Sequence, residues 1–237
     1  MRQIPRLFVE TPLVAGSSIV LEGAQAHYLL NVLRLDVGAQ MLLCDDIGGE
    51  FRALVAVRSK RVVQVDVVGR ERAREMPADL WLCVAPIKGP RWDWVAEKAC
   101  ELGVARLVPV QTRRTVVTRV NGERLRAHMI EAAEQCGRTA LPTLGELTPL
   151  ANLLAGWPAD RALIFADEGG GAPAASLSTL PPPAAILIGP EGGFAPEERE
   201  AIRALPQAHA IGLGPRILRA DTAAVAAVAL WQSHHGD

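Results

Sequence analysis

The chain has 237 residues, of which 49% are hydrophobic and 22% are charged, a balance that excludes intrinsic disorder and permits a sizeable buried core. With 25 Lys and Arg residues against 26 Asp and Glu residues, the formal net charge is −1. Any binding of nucleic acid must therefore depend on local basic patches and not on a globally basic chain.

The sequence also indicates where the protein resides. Its first ten residues, MRQIPRLFVE, lack the apolar run of a signal peptide. The longest apolar stretch, residues 223–231, is far shorter than the roughly 20 residues that span a bilayer. Four widely spaced cysteines form no CxxC pair, which favours reduced, mostly buried thiols over a zinc site. We expect a soluble cytoplasmic protein that binds no metal and no membrane.

The N-terminal part of the chain is predicted to contain short strands, tight turns and one helix. The strands are expected at residues 18–21, 39–44, 51–57 and 61–68, and the helix at residues 24–33. This content is typical of a small β-barrel. The charged residues 69–78 are interpreted as a linker or an exposed edge. We therefore expect one domain at residues 1–72 and a second at residues 73–237.

Strands alternate with helices in the second part of the chain. Because the strands are short continuous apolar runs, they indicate a parallel sheet buried on both faces, in an α/β domain. The glycines at 169–171 and the prolines at 181–183 are interpreted as a loop without chemistry. The strands are predicted at residues 80–85, 106–110, 162–166, 184–188 and 208–213, and the helices at residues 92–102, 124–138, 196–204 and 222–232.

The strongest motif is AAILIGPEGGFAPEERE at residues 184–200. A buried strand runs directly into a glycine-rich turn at residues 189–193, and a helix begins at Pro196, which suits the first helical position. Glycines at the carboxyl end of a strand let the backbone approach a ligand, and ligands bind at that edge of open α/β sheets. A tight turn without a ligand explains the pattern equally well.

A second strand ends in a glycine-rich turn within AIGLGPRILRADTAA, at residues 210–224. Asp221 is interpreted as the N-cap of the last helix, and a general base is the alternative. The segment lacks the third glycine of a dinucleotide-binding fingerprint, and no GxxxxGK[ST] loop occurs in the chain. These absences exclude a Rossmann dehydrogenase and a P-loop enzyme.

Polar and basic side chains cluster on one predicted helix and in several loops. On the helix at 124–138, one face carries two glutamates, a glutamine and an arginine. The basic residues follow strands or belong to the N-terminal domain, where they are placed to contact phosphates. An ordinary solvated surface is the alternative for all of them. The helix residues are Glu131, Glu134, Gln135 and Arg138, and the basic residues are Lys88, Arg91, Arg113, Arg114, Arg34 and Arg52.

Five motifs in this order resemble the bacterial 16S ribosomal RNA uridine N3-methyltransferase family of the SPOUT superfamily. They are HYLLNVLR at 27–34, Lys88 with WDWVAEKACELG at 92–103, EAAEQCGR at 131–138, LIGPEGGF at 187–194 and LGPRILRADTA at 213–223. The resemblance implies an N-terminal PUA-like β-barrel and a C-terminal α/β SPOUT domain with a parallel sheet and a trefoil knot. It also implies a homodimer that uses S-adenosylmethionine (SAM) and acts on 16S ribosomal RNA in assembled small subunits.

The resemblance assigns roles to residues of this chain. Arg219, Asp221 and Arg216 are the expected catalytic residues. The expected contacts to RNA are Arg34, Arg52, Lys88, Arg91, Arg113, Arg114, Glu131, Gln135 and Arg138. The resemblance places the cofactor on the loops at residues 189–193 and 213–219 and on the loop after Phe165. The cofactor is expected to contact Phe165, Ile188, Gly189, Pro190, Glu191, Gly192, Gly193, Leu213, Gly214, Ile217, Leu218 and Thr222.

Two positions depart from the family pattern, because Asp221 replaces an expected Glu and Ala195 replaces an expected capping Ser. The second change removes an N-cap that stabilises a helix by about 1 kcal/mol. Two other functions stay open at this stage. One is a SPOUT methyltransferase that modifies another RNA target, such as a ribose 2′-hydroxyl, and the other is a non-catalytic RNA-binding protein.

Overall fold

The fold was determined as a computed structural model that describes residues 4–236. Residues 1–3 and 237, which the expected domain ranges include, lie outside the described residues. The chain divides into two compact units. The N-terminal unit contains the described residues up to Met76 together with Ala133–Ala140, and the C-terminal unit contains Pro77–Ala132 and the described residues from Leu141 onward.

The N-terminal unit is built on a mixed five-stranded sheet with the strand order β1-β3-β4-β5-β2. All neighbouring pairs are antiparallel except β1 with β3. Strand β5 is longer than expected, because residues 69–72, predicted as part of a linker or an exposed edge, continue its pairing with β4. The elements are β1 (Arg6–Phe8), β2 (Ser18–Leu21), helix α1 (Gly23–His27), a π-helical turn (Tyr28–Val32), β3 (Gln40–Cys44), β4 (Glu50–Arg58) and β5 (Val63–Arg72).

Alternation along β5 determines which face of this sheet is buried. Val63, Val65 and Val67 are buried, whereas Asp66 between them is exposed. Side chains on a strand alternate between faces, so these valines point together into the core of the unit. Val65 lies opposite Val55 of β4, which is also buried. The period-two pattern therefore predicted this strand and its inner face correctly.

The segment Ala133–Ala140 packs with the N-terminal unit through side-chain contacts. The Phe8 N–H donates a hydrogen bond to Glu134 Oε1 at 2.7 Å. Glu134 is one of the residues on the predicted polar face of the helix, so that side chain already has a partner within the unit. Helix α3 (Gly122–Cys136) ends before Arg138, so the prediction that Arg138 lies on that helix is wrong. Arg138 is only 7% exposed and donates from Nε to Glu75 Oε1 at 2.6 Å. A buried ion pair thus holds a residue that was expected to contact RNA.

The C-terminal unit is an α/β unit built on an eight-stranded sheet in which every pair is parallel. The order is β11-β13-β10-β12-β6-β7-β8, and β9 also pairs with β7. The strands are β6 (Leu80–Val84), β7 (Arg106–Gln111), β8 (Thr143–Leu144), β9 (Thr148–Pro149), β10 (Ala162–Ala166), β11 (Ala172–Pro173), β12 (Ala184–Ile188) and β13 (Ala208–Gly212). The helices are α2 (Pro90–Glu101), α3, α4 (Leu150–Ala155), a 3-10 helix (Ala174–Thr179), α5 (Pro196–Arg203) and α6 (Ala220–His235).

Three helix starts in this unit refine or correct the predictions. Helix α6 begins at Ala220, so Arg219 is its N-cap and the interpretation of Asp221 as the cap is wrong. Helix α2 begins at Pro90, which places Arg91 in its first turn and not in a loop. At α5, the Glu198 carboxylate accepts the backbone N–H of Ala195 at 2.9 Å. This hydrogen bond satisfies one backbone donor at a helix start that lacks a capping Ser.

The cysteines agree with the expectation of reduced thiols. All four are free; Cys44, Cys83 and Cys100 are buried, whereas Cys136 is exposed. Burial raises the pKa of Cys44 to about 11 and that of Cys83 to about 12, so both stay protonated and unreactive at neutral pH. Within residues 4–236, the helices are too short or too polar to cross a bilayer. The same part of the chain contains no group of His, Cys, Asp and Glu arranged to hold a metal ion.

We predict that Gly49→Ala destabilises the N-terminal unit strongly. Gly49 has φ = +105°, and a Cβ there would lie 2.3 Å from the carbonyl oxygen of Arg72. Backbone strain and this clash together are expected to lower the free energy of unfolding by about 2 kcal/mol or more, measured by urea denaturation. Gly69→Ala is the control, because no atom lies within 4 Å of its added Cβ. Equal effects of the two substitutions would contradict the prediction.

Candidate functional site

Parallel strands β10, β12 and β13 end at one edge of the sheet, and a cavity of about 220 Å³ lies there. Strand β10 pairs with β12 on one side and with β13 on the other, so the loops that follow all three meet. The carboxyl edge of a parallel sheet is the usual place for a ligand. Both glycine-rich turns predicted from the sequence line this cavity.

Most residues expected to contact the cofactor line the cavity. Among the expected catalytic residues, Arg216 also lines it and is exposed. Ile217 is 87% exposed although its side chain is apolar, so it leaves a hydrophobic surface uncovered beside the cavity. The expected cofactor contacts that line the cavity are Ile188, Gly189, Pro190, Glu191, Gly193, Leu213, Gly214, Ile217 and Leu218.

Other expected site residues lie next to the cavity without lining it. Phe165 is buried in β10, and the following residue, Ala166, lines the cavity instead. Gly192 is exposed and Thr222 is exposed on α6. Arg219 is exposed at the N-cap of α6, and Asp221 is buried in the first turn of that helix. Arg219, Asp221 and Thr222 therefore lie at the start of α6.

The third wall of the cavity is formed by the loop after β10, which the family resemblance implies as a third loop of the cofactor site. Asp167, Glu168 and Gly170 of this loop line the cavity, whereas the glycines at 169–171 by themselves predict only a loop without chemistry. The apolar residues of β10 are followed directly by two consecutive acids, Asp167 and Glu168.

Asp167 anchors that loop to α5. Its side chain is 1% exposed and accepts hydrogen bonds from Arg203 Nη2 at 2.6 Å and from the Gly169 N–H at 2.9 Å. Arg199 donates to the same carboxylate. Burial alone would raise the pKa of Asp167, but these three donors outweigh it and lower the pKa below its ordinary value. The carboxylate thus stays charged and holds the wall in place.

Glycines shape the walls of the cavity in two ways. Gly193 and Gly214 have φ of +67° and +110°, a region that other residues rarely adopt. At Gly212 and Gly214, an added Cβ would meet no protein atom within 4 Å, although both residues line the cavity. Open space beside these backbones leaves room for a ligand to approach them. The carboxylates of Glu168 and Glu191 add negative charge to the same cavity.

Arg91 connects the two turns at this edge of the sheet. Its guanidinium lies 3.7 Å from Glu191 Oε1 and 3.9 Å from Asp221 Oδ2. Asp221 Oδ1 accepts the Thr222 N–H at 2.9 Å, whereas among the described residues its Oδ2 has only the longer contact to Arg91. Asp221 therefore places a buried carboxylate beside the cavity, and its Oδ2 lies farther than hydrogen-bond distance from the guanidinium of Arg91.

Arg113 and Arg114, expected to contact RNA, bind the turn between β12 and α5. Arg114 Nη1 donates to the Gly192 carbonyl oxygen at 2.5 Å. The Arg113 N–H donates to Glu198 Oε1 at 2.7 Å, and its guanidinium lies 3.4 Å from Glu197. Both arginines are exposed, so their positive charge also faces solvent. The loop after β7 therefore supports the turn that lines the cavity.

The structure separates the other expected RNA contacts. Lys88, Glu131 and Gln135 are exposed, as is Arg34 in the N-terminal unit. Arg52 donates from Nε to Glu71 at 2.6 Å, and Arg138 is buried against Glu75. Arg34 and Lys88 thus present their charge to solvent, whereas Arg52 and Arg138 have acidic partners within their own unit.

Two family models match this chain. One describes an RNA methyltransferase domain and matches residues 74–232, and the other describes an RNA methyltransferase PUA domain and matches residues 21–68. The chain is 30% identical to the ribosomal RNA small subunit methyltransferase E of Rickettsia conorii, over 94% of this chain and 93% of that protein. It is also 30% identical to the Bacillus subtilis protein of the same name, over 86% and 85% of the two chains.

Solved structures resemble this fold over nearly its whole length. The ribosomal RNA small subunit methyltransferase E of Neisseria gonorrhoeae, bound to S-adenosyl methionine, matches with a TM-score of 0.90 and 26% identity over 99% of both chains. A Legionella pneumophila structure in complex with the bound cofactor SAM matches with a TM-score of 0.87 and 29% identity over 99% of both chains. These similarities agree with the expected SPOUT fold and its N-terminal PUA domain.

We predict that the ion pairs of Asp167 make the stability of the C-terminal unit depend on acid pH. Because its pKa is lowered in the folded state, the stabilisation is complete above the ordinary carboxyl pKa and is lost as the pH falls through the folded value. Asp167→Asn should lower the free energy of unfolding by about 1–3 kcal/mol at neutral pH. The difference between the variant and the wild type should shrink as the pH is lowered, measured by denaturant unfolding. Asp160→Asn, at an exposed position, is the control, and a pH-independent difference would contradict the prediction.

Proposed function

The chain belongs to the family of the ribosomal RNA small subunit methyltransferases E, and from this membership we propose that it transfers a methyl group from SAM to N3 of a uridine in 16S ribosomal RNA. The observation that carries the proposal is the cavity that three loops build at the carboxyl edge of β10, β12 and β13. Its two glycine-rich turns coincide with the motifs through which the sequence resembles uridine N3-methyltransferases.

The residues of the cavity fit SAM. Apolar side chains of Ile188, Leu213 and Leu218 suit the adenine ring, and the open sides of Gly212 and Gly214 give it access to backbone groups. The methionine part carries an ammonium group, and the neighbouring sulfonium is also positive. The carboxylates of Glu168 and Glu191 complement these charges. Bound there, the cofactor supplies an activated methyl group, so the protein mainly contributes orientation and electrostatics.

We propose that Arg216 and Arg219 stabilise negative charge on the uracil oxygens while the N3 proton leaves. N3 lies on the Watson–Crick edge, so the target base must be unpaired or flipped out of its helix. Arg216 lines the cavity, and Arg219 is exposed at the start of α6, so both guanidinium groups can reach a base at its mouth. Preorganised donors aimed at developing charge are usually the largest contribution to such catalysis.

Asp221 is the proposed acceptor of the N3 proton. Its Oδ1 accepts the Thr222 N–H, and within residues 4–236 its Oδ2 has only the 3.9 Å contact to Arg91. The proton would therefore move to Oδ2. No histidine is among the residues that line the cavity. Of the carboxylates that do line it, Glu168 and Glu191 are proposed to face the positive charges of the cofactor, and Asp167 is held by Arg199 and Arg203. Asp221 is therefore the carboxylate proposed for the transfer.

The proposed contacts to RNA are the basic residues that keep their charge exposed, which are Arg34, Lys88, Arg113 and Arg114. Glu131 and Gln135 are proposed to orient the nucleotide from the partner subunit of a homodimer. Arg52 and Arg138 are not among the proposed contacts, because their guanidinium groups already bind the carboxylates of Glu71 and Glu75. Residues 1–72 are proposed as the RNA-binding domain and residues 73–237 as the catalytic domain, with family matches at 21–68 and 74–232 in support.

We further propose a trefoil knot, a homodimer, a cytoplasmic location and assembled small subunits as the substrate. The knot and the dimer are what the SPOUT resemblance implies. The location follows from the proposed substrate, since ribosomal subunits are cytoplasmic.

We predict that Gly212→Val abolishes binding of SAM, measured by titration calorimetry. Gly212 lines the cavity, and its added side chain would enter open space without meeting a protein atom, so the fold should persist. Gly69→Val is a matched control, because it is also a strand glycine with no atom within 4 Å of an added Cβ, and it lies in the other unit. Normal SAM binding by a folded Gly212→Val protein would contradict the assignment of the cavity.

We predict that Arg219→Ala slows single-turnover methyl transfer about 100-fold while leaving SAM binding unchanged. The assay uses small subunits that lack the modification, and nucleoside analysis of the digested RNA identifies the product. Arg61→Ala, at an exposed position of the N-terminal unit, is the control. An unchanged rate for Arg219→Ala would remove the charge-stabilising role. A 2′-O-methylated nucleoside in place of 3-methyluridine would overturn the proposed target.

A further inference from the structure

A short helical segment of the N-terminal unit combines a firmly anchored inner face with an unusual backbone. Helix α1 continues into a π-helical turn at Tyr28–Val32. Ala26, Leu29 and Leu30 are buried in the core of the unit. The side chain of Gln25 donates to the Phe8 carbonyl oxygen at 2.6 Å and ties the segment to β1. Single π-helical turns occur frequently at functional sites, so the solvent-facing side of this segment is a candidate binding surface.

Three exposed polar side chains lie on this segment, and a fourth follows it within two residues. His27, Tyr28, Asn31 and Arg34 are all exposed, and Tyr28, the one tyrosine of the chain, is 40% exposed. Within residues 4–236, no hydrogen bond or ion pair engages the side chains of these four residues. An imidazole, a phenol and an amide thus lie exposed on the anchored segment, and a guanidinium follows two residues after its end.

Arg34 differs from most other arginines of this unit. It adopts φ = +53°, a left-handed conformation that is uncommon for a residue other than glycine, asparagine or aspartate. Such backbone strain concentrates at binding and active sites. By contrast, six other arginines of the unit have acidic partners within it: Arg6, Arg52, Arg58, Arg72, Arg74 and Arg138.

The local charge favours an anionic partner. Asp36 is the acidic residue that follows Arg34 most closely, and Arg58 already pairs with it. The guanidinium of Arg34 therefore keeps its attraction for a phosphate. The segment also falls within residues 21–68, which match the model of an RNA methyltransferase PUA domain.

We propose that His27, Tyr28, Asn31 and Arg34 form a binding site for an unpaired nucleotide of the substrate RNA, separate from the target uridine. This inference rests on the proposed function, because it assumes an RNA substrate. The Tyr28 ring stacks on the base, as aromatic side chains do with single-stranded RNA. Arg34 binds the adjoining phosphate, and the polar groups of His27 and Asn31 hydrogen-bond to the base edge or the ribose.

A single fluorine label tests the stacking contact directly. Because the chain has one tyrosine, incorporation of 3-fluorotyrosine gives one ¹⁹F resonance that reports on Tyr28 alone. The probe is an unstructured oligouridine of about 12 nucleotides, added to the full-length protein. We expect the resonance to shift with the single strand and to stay in place when the oligouridine is annealed to oligoadenylate. Binding of the single strand without a shift, or no binding at all, would overturn the proposal.

Variants separate the stacking contact from the phosphate contact. Tyr28→Leu should weaken the binding of oligouridine about tenfold, whereas Tyr28→Phe retains the ring and should bind as the wild type does. Arg34→Asn keeps a residue that tolerates the left-handed backbone but removes the charge. It should reduce the slope of log affinity against log salt concentration by about 0.7. Arg52→Gln is the matched control, because Arg52 is paired with Glu71, and it should leave the slope unchanged.

The site and the proposed function fail in different ways. Binding of SAM and methyl transfer to small subunits are measured on the same wild-type protein. If methyl transfer proceeds and Tyr28→Leu binds oligouridine as tightly as the wild type, the nucleotide site is refuted and the function stands. If SAM and oligouridine bind but no methyl is transferred, the function is refuted, and a tenfold loss in Tyr28→Leu still supports the site.

Discussion

Complete burial of β12 is the constraint on which the functional edge of the protein depends. All five residues of this strand are buried between β10 and β6, so none of them can carry a polar side chain at low cost. Polar groups can enter only where the strand ends, and parallel pairing brings the ends of β10, β12 and β13 to the same edge. The cavity therefore follows from the sheet, and the loops decide only which ligand fits it.

Much of this arrangement could be predicted because its signals are local. Period-two valines identified β5, apolar runs identified the parallel strands, and glycines at strand ends identified two of the three cavity walls. The third wall could not be predicted as firmly, because Asp167 is held by Arg199 and Arg203, which follow it by more than thirty residues. Likewise, Arg138 matched a helical face by its spacing, but its ion pair with Glu75 depends on a fold that spacing does not reveal.

The arginines of this protein differ in whether their charge is paired with a carboxylate or is exposed to solvent. The sequence has nearly equal numbers of acidic and basic residues, and many arginines are paired with carboxylates of their own unit. Arg114 combines the two roles, since it supports the turn at Gly192 while its charge faces solvent. A phosphate that attracted Arg114 would compete with the Gly192 carbonyl oxygen. The proposed contact of Arg114 with RNA would therefore affect the turn that lines the cavity.

The segment Ala133–Ala140 has a consequence for how the protein can be dissected. It lies far along the sequence, yet it supplies Glu134 to the backbone of Phe8 and Arg138 and Thr139 to Glu75. A fragment cut after Met76 would lose these partners and leave the carboxylate of Glu75 without its guanidinium. The compact N-terminal unit is therefore discontinuous in the sequence. A fragment that keeps these contacts would have to carry residues 133–140 through a designed connection.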